Sequence, residues 1–208
     1  MKKAFLSVIL LAVLASGICA AQNNIKPLRL EASMGTLTNW QKLSIYDNGF
    51  SNMRCPTSDI ILSYEVFRDT AALGVKFNSY TFEEQATDEY FSISFVAANF
   101  RYFYPLQFTD KIKIRPYFEV AFGCAFLKDW FSYNETDYKT TRRGFGMDYA
   151  LGIEIPFTNY FTAGLKCGYF VAFPSKVDVA AEVPAENYKL GDQIINSTRV
   201  MATFSIGF

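Results

Sequence analysis

From residue 196 to its end the chain alternates strictly. Thr198, Val200, Ala202, Phe204, Ile206 and Phe208 form one series, mostly apolar, and Ser197, Arg199, Met201, Thr203, Ser205 and Gly207 form the other, mostly small or polar. A period of two held over a dozen residues predicts a long β-strand whose faces meet different environments. The same pattern recurs upstream. The first strand is expected at residues 27–37, the second at 59–67, the third at 71–80, the fourth at 90–103, the fifth at 112–127, the sixth at 144–155 and the seventh at 160–171, with the C-terminal stretch as the eighth. The sixth alternates most cleanly: Phe145, Met147, Tyr149, Leu151, Ile153 and Ile155 oppose Gly144, Gly146, Asp148, Ala150, Gly152 and Glu154. In the fourth, Phe91, Ile93, Phe95 and Ala97 share a face until Phe100 and Tyr102 take over. A β-bulge near Ala98-Asn99 is the simplest reading of that change of phase.

The connections alternate in length. Residues 68–70, 105–111 and 156–159 make short turns. Residues 38–57, 81–89, 128–143 and 172–195 make longer polar loops, with Asp47-Asn48-Gly49 and Cys55-Pro56 as turn formers in the first. Strands of this length, even in number, with short turns on one side and long loops on the other, predict an all-β fold: an eight-stranded antiparallel up-and-down transmembrane β-barrel. Both termini then lie on the short-turn, periplasmic side.

A soluble lipocalin-like barrel alternates too, with its apolar series turned inward. The polar series decides between the two. Gly, Asp, Ala and Glu on the sixth strand, and Thr162, Gly164, Lys166 and Gly168 on the seventh, are small residues broken by single charges, and these suit a crowded interior. The many Phe and Tyr of the apolar series are too bulky for an eight-stranded interior, so that series is assigned to lipid. The inward charges are then Arg29, Lys76, Arg101, Lys166 and Arg199, balanced by Glu31, Glu65, Glu119, Asp148 and Glu154. Charges buried this way must be paired. A structural lumen network is favoured over a conducting pore. Arg199 is expected to meet Glu31 or Glu154. Aromatic girdles are expected from Phe67, Phe103, Tyr104, Phe108, Phe157, Tyr160, Phe161 and Phe208 at the periplasmic rim, and from Trp40, Phe126, Trp130, Phe131 and Phe173 at the outer one.

Composition supports the membrane reading. Half of the chain is hydrophobic and 17% is aromatic, yet no later segment offers an uncharged apolar run of helix-spanning length. The formal net charge of zero gives no electrostatic case for nucleic acid. Residues 1–21 read as a signal peptide: Lys2 and Lys3, an apolar run over 4–14, then Cys19-Ala20-Ala21, with cleavage after Ala21. Residues 22–208 form the barrel domain. A lipid anchor on Cys19 is disfavoured by Ile18 before it. The remaining Cys55, Cys124 and Cys167 are odd in number, so they form no closed disulfide framework, and Cys124 and Cys167 are expected to face lipid.

Candidate chemistry is sparse. The chain has no His, which removes Ser-His-Asp triads, Cys-His dyads and His-ligated metal sites. Glu83, Glu84, Asp88 and Glu89 could gather a calcium ion, but a solvated loop is favoured. Asn134-Glu135-Thr136 and Asn196-Ser197-Thr198 match the glycosylation sequon, but the terminal aromatic strand resembles a bacterial barrel's assembly signal, which discounts both. Arg142-Arg143 could hold lipopolysaccharide phosphates, against the plainer reading of an ordinary rim pair. No cofactor is expected.

Together the signal peptide, the eight alternating strands, the Gly-rich inner face of GFGMDYALGIEI and the terminal aromatic of TRVMATFSIGF resemble the small bacterial outer-membrane β-barrel family of the OmpA-like and OmpX-like kind. Gln22 directly after the cleavage site resembles Bacteroidetes exports. The resemblance implies that Phe204, Ile206 and Phe208 act as an assembly signal read by the barrel-assembly machinery. It also implies a monomer in the outer-membrane lipid bilayer, in contact with lipopolysaccharide. The function expected is non-enzymatic, structural or surface-interacting through the long loops, with an unknown extracellular ligand. The alternative is a narrow channel for small or hydrophobic solutes. Lipid enzymes on small barrels rely on His with Ser, which this chain lacks.

Overall fold

The computed structural model describes residues 27–39, 54–67, 70–84, 89–104, 106–109, 112–133, 136–175 and 194–208. The expected signal peptide and much of the loops at 38–57 and 172–195 lie outside the described residues. The strands are β1 (Leu28–Asn39), β2 (Arg54–Phe67), β3 (Ala71–Glu84), β4 (Glu89–Phe103), β5 (Leu106–Thr109), β6 (Ile112–Tyr133), β7 (Thr136–Pro156), β8 (Phe161–Pro174) and β9 (Ile195–Gly207). Eight of them form a closed antiparallel barrel: β1 pairs with both β2 and β9, and β4 skips β5 to pair with β6. β5 is a short addition that, among the described residues, pairs only with the start of β6. Closure matters physically, because only a barrel without edges satisfies every strand hydrogen bond inside lipid.

One rim, here the terminal rim, carries the start of β1, the end of β9 and the β7–β8 turn. Thr70 N–H donates to the Phe67 carbonyl at 2.9 Å. In the β7–β8 turn the Thr158 hydroxyl accepts from the backbone N–H groups of Tyr160 and Phe161 at 3.1 and 3.0 Å. The end of β9 is tied to the start of β1, with Phe208 N–H donating to the Leu28 carbonyl at 2.8 Å.

Three expectations are corrected. Cys55-Pro56 is not a turn: β2 begins at Arg54, and Cys55 and Pro56 pair with Leu37 and Thr36. Proline is tolerated there because it sits at the start of the strand, beyond the register with β3, where its missing N–H costs no ladder bond. Residues 128–133 and 136–143 are not loop but the continuation of β6 and β7 into one hairpin, paired from Lys128↔Thr141 to Tyr133↔Thr136. Its polar residues alternate across a ladder rather than breaking it. Finally, β4 has no bulge at Ala98-Asn99. Its register with β3 and β6 runs unbroken, and the inward series is Phe91, Ile93, Phe95, Ala97, Asn99, Arg101 and Phe103 throughout. The change of phase lies in the polarity of the surroundings and not in the backbone.

That reversal is general. Toward the terminal rim the outer face is apolar: Leu28, Leu30, Ile60, Leu62, Leu73, Val75, Phe100, Tyr102, Phe118, Ile153, Leu165, Phe204 and Ile206 are all exposed. Toward the distal rim the outer face turns polar, with Thr36, Ser58, Ser79, Thr81, Ser92, Ser94, Lys128, Thr141, Arg143 and Thr198 exposed or half-buried. The inner face there is apolar instead. Leu37, Cys55, Tyr80, Phe82, Phe91, Ile93, Phe95, Leu127, Phe170 and Ile195 form one buried cluster. The apolar outer belt on β9 runs from Val200 to Phe208. Those eight residue steps are about 26 Å of strand, or roughly 20 Å along the axis of a tilted barrel. This is close to the height of a lipid-facing band, and so continuous an apolar belt is untenable in water.

Candidate functional site in the barrel interior

The lower interior is filled by charge. Alternation turns every second residue inward, and the strands here supply one or two ionisable groups each. Nearest the terminal rim, Arg29 of β1 meets Glu154 at 3.0 Å and Glu65 at 3.3 Å. Arg115 of β6 meets the same two carboxylates at 3.3 and 2.6 Å. One level up, Arg101 of β4 grips Glu31 through both terminal nitrogens at 2.6 and 3.0 Å and donates through Nε to Glu119 at 3.0 Å. Lys166 bridges Glu31 and Asp59 at 3.1 and 2.9 Å. At the top, Lys76 contacts Glu119 at 2.6 Å and Asp59 at 3.2 Å, and also meets Asp148. Arg199 joins Asp59 at 3.0 Å and Asp148.

The structure thus brings all ten expected charges inside and adds two more, Asp59 and Arg115. Both were detectable by parity. Asp59 shares its face with Glu65, and Arg115 shares its face with Tyr117 and Glu119. Six cations and six anions neutralise one another in this cluster, which suits groups between 0% and 5% exposed. Arg199 takes neither partner expected of it. Glu31 lies opposite Ser205 on β9, six residues from Arg199 along the strand, so it sits at a lower level of the barrel.

Aromatic rings close the network at both ends. Below it, Phe103 and Tyr117 lie edge to face, with ring centres 5.9 Å apart. The Arg115 guanidinium stands 3.9 Å over Phe103 and that of Arg101 stands 4.2 Å over Tyr117. Above it, Phe170 packs against Phe95 at 5.1 Å and Tyr80 at 6.0 Å, and Tyr80 packs against Phe82 at 5.6 Å. Two inward glycines make room for these rings. A Cβ on Gly152 would stand 2.3 Å from the Tyr117 ring, and one on Gly146 would stand 2.7 Å from Phe95. The expectation that aromatic rings are too bulky for the interior is therefore corrected: glycine on the facing strand supplies the missing volume.

Other expected residues fall as follows. Phe204, Ile206 and Phe208 point outward from β9. Phe67, Tyr104, Tyr160, Phe161 and Phe208 stand exposed at the terminal rim, whereas Phe103 points inward and Phe157 is buried. Cys124 and Cys167 face outward on strands separated by β7, and Cys55 is buried; all three are free thiols. Arg142 and Arg143 are not a surface pair. Arg142 turns inward, 2% exposed, and Arg143 turns outward, as alternation demands. The acidic run is mostly strand, since β3 continues to Glu84 and β4 begins at Glu89. Asp88 and the side chains of Glu83, Glu84 and Glu89, like Trp40 and the side chains of Phe108 and Phe131, lie outside the described residues.

No protein-family model and no curated protein matches the chain. Solved structures do. Neisserial surface protein A superposes with a TM-score of 0.57 at 14% identity, covering 87% of this chain and 97% of that one. Ail, the attachment invasion locus protein of Yersinia pestis, gives 0.48 at 14% identity, covering 86% and 99%. The N-terminal β-barrel domain of Pseudomonas aeruginosa OprF gives 0.45 at 10% identity, covering 88% and 99%. With its closed eight-stranded architecture and apolar outer belt, the chain has the fold of a small bacterial outer-membrane β-barrel.

Proposed function

We propose that the protein is a non-enzymatic outer-membrane barrel with a closed lumen, whose work is done at the distal rim while its termini sit in the periplasm. The observation that carries this is the filled interior: a twelve-group charge network capped by Phe103 and Tyr117 below and by the Tyr80, Phe95 and Phe170 cluster above. An eight-stranded barrel encloses only enough space for its own side chains, and here those side chains are locked to one another. The same observation speaks against the narrow channel. The purified protein in a planar bilayer is expected to give no steady conductance above that of the bare membrane; stable, reproducible single-channel steps would overturn the closed reading.

Topology is tested separately. An epitope placed between Tyr133 and Thr136 is expected to be reached by antibody on intact cells, and labelling only after permeabilisation would reverse the orientation. Assembly is the third element. Phe208 ends the closing strand on the lipid face, 59% exposed, and its removal is expected to lower the amount of folded barrel in the membrane while leaving the detergent-refolded protein intact. Normal membrane levels of the truncated chain would sink the assembly role of Phe204, Ile206 and Phe208.

A further inference from the structure

The apolar outer belt is not equally tall all round the barrel, and the strand register shows where it rises. Stepping from partner to partner, Leu28 leads through Tyr64, Leu73, Phe100, Val120, Tyr149, Tyr169 and Thr198 to Thr38, so one circuit climbs ten residues along β1. The eight barrel strands share that climb, a little over one residue each. Once the climb is subtracted, the lower edge of the belt is level: Leu28, Val66, Tyr104, Ile155, Phe161 and Phe208 lie within about two residues' rise of one another. The upper edge is not. Level with the outward Cys124, Met147 and Val171 of β6, β7 and β8 stand Thr198, Thr36, Ser79 and Ser94 of β9, β1, β3 and β4. One alternation higher, Phe126, Phe145 and Phe173 stand level with Asn196, Thr38, Thr81 and Ser92. Three adjacent strands therefore stay apolar for two alternations beyond the height at which these others turn polar. Phe145 is 50% exposed, Phe173 is 44% exposed, and Cys124 is exposed as well.

We infer that lipid acyl chains cover this raised wall, so that hydrocarbon reaches about 10 Å higher against β6–β8 than against β9, β1, β3 and β4. Continuity with the belt below identifies the occupant. The outward series of β8 runs from Phe161 through Leu165, Cys167 and Tyr169 to Phe173 without a polar residue, so whatever solvates its lower part suits its upper part too. Length agrees. Those residues span about 40 Å of strand, or roughly 30 Å along the axis of a tilted barrel, and a bilayer's hydrocarbon core is about 30 Å thick. The opposite wall cannot follow to that height, because hydroxyls such as those of Thr36, Ser79 and Ser94 lose their water partners in hydrocarbon. A bilayer meets a wall of unequal height by tilting the protein or by thickening locally. In both cases one side of the barrel offers lipid, and the other offers a hydroxyl-lined face to water, at the same level.

The inference rests on the reading that the barrel spans a bilayer, and a probe on Cys167, halfway up the β8 series, tests that reading separately. A nitroxide is attached to Cys124, to Cys167 or to a cysteine from Ser79→Cys, each as the one cysteine of the chain, with the others replaced by alanine. The protein is refolded into phosphatidylcholine vesicles. Power saturation then compares collision with oxygen, which concentrates in hydrocarbon, and with a nickel chelate, which stays in water. Cys167 is expected to show high oxygen and low nickel access; the opposite would defeat the membrane reading itself. With Cys167 in hydrocarbon, the Cys124 probe is expected to show an oxygen-to-nickel ratio several-fold above that of Ser79→Cys, although the two lie at one level. Equal ratios would overturn the inference. A Cys124 probe shielded from both reagents would overturn it in favour of a second copy of the chain seated on the wall. In the double variant F145S/F173S the Cys124 ratio is expected to fall toward that of Ser79→Cys, and an unchanged ratio would also count against the inference. Both positions are exposed, so the variant should still fold, and unchanged heat-modifiable migration on a gel checks this.

Discussion

The two halves of the barrel solve opposite problems with one backbone. Toward the terminal rim the wall is apolar outside and ionic inside, with Ile60, Leu62 and Phe204 facing out while Arg29, Glu31 and Lys166 face in. Toward the distal rim the wall is polar outside and aromatic inside, with Ser92, Ser94 and Thr198 facing out while Phe91, Ile93 and Phe170 face in. The lower half is built for lipid, the upper half for water. Their interiors differ in what specifies them. Aromatic packing is non-directional and tolerates exchange of similar volumes. A buried ionic network demands particular partners at particular distances, because any group left unmatched carries its full desolvation penalty.

That contrast can be tested by substitution in each half. The largest effect is expected for Arg101→Leu, which leaves Glu31 and Glu119 without the guanidinium that joins them. A loss of about 3–5 kcal/mol in detergent-refolded stability is expected, read from urea titration of the barrel, and a loss under 1 kcal/mol would show that the network reorganises freely. Arg101→Lys keeps the charge but not the two-pronged grip on Glu31, and about 1.5–3 kcal/mol should be lost. Gly152→Val drives a side chain into the Tyr117 ring, and overpacking of this kind costs about 1–3 kcal/mol. Its effect should shrink when combined with Tyr117→Ala, which vacates the space; simple additivity of the two would disprove the steric account. The smallest effect is expected for Phe95→Leu in the upper half, at most about 1.5 kcal/mol. Should Phe95→Leu prove as damaging as Arg101→Lys, the proposed difference in specificity between the halves disappears.

Much of the fold was legible in the residue pattern, and the misread stretches of β4, β6 and β7 share one cause. Alternation marked every barrel strand and gave each residue its parity, which is why the ten charges fell on the inner face once the faces were named. Parity also places Asp59 and Arg115 on the inner face, at the less regular ends of their strands. What misled was the use of polarity as a marker of face. In β4 the inward Phe91, Ile93 and Phe95 belong to the water-side half and the outward Phe100 and Tyr102 to the lipid-side half, so an unbroken strand looks bulged. The hairpin extension of β6 and β7 looks like loop for the same reason: strands that leave the bilayer become polar outside without ceasing to be strands.

The sequence by itself determined the number of barrel strands, though not the short β5 within residues 105–111, together with the up-and-down order and the parity of each position, because these follow from a backbone period of two and from short turns that need particular residues. Only the tertiary structure decided which inward groups share a level. The pairing of Arg199 with Asp59 and Asp148, the fit of Tyr117 over Gly152 and of Phe95 over Gly146, and the height at which the wall exchanges its polar and apolar faces all depend on how far each strand is staggered against the next. Stagger is set by closing the whole cylinder, a condition on all eight barrel strands together, and no single stretch of chain encodes it.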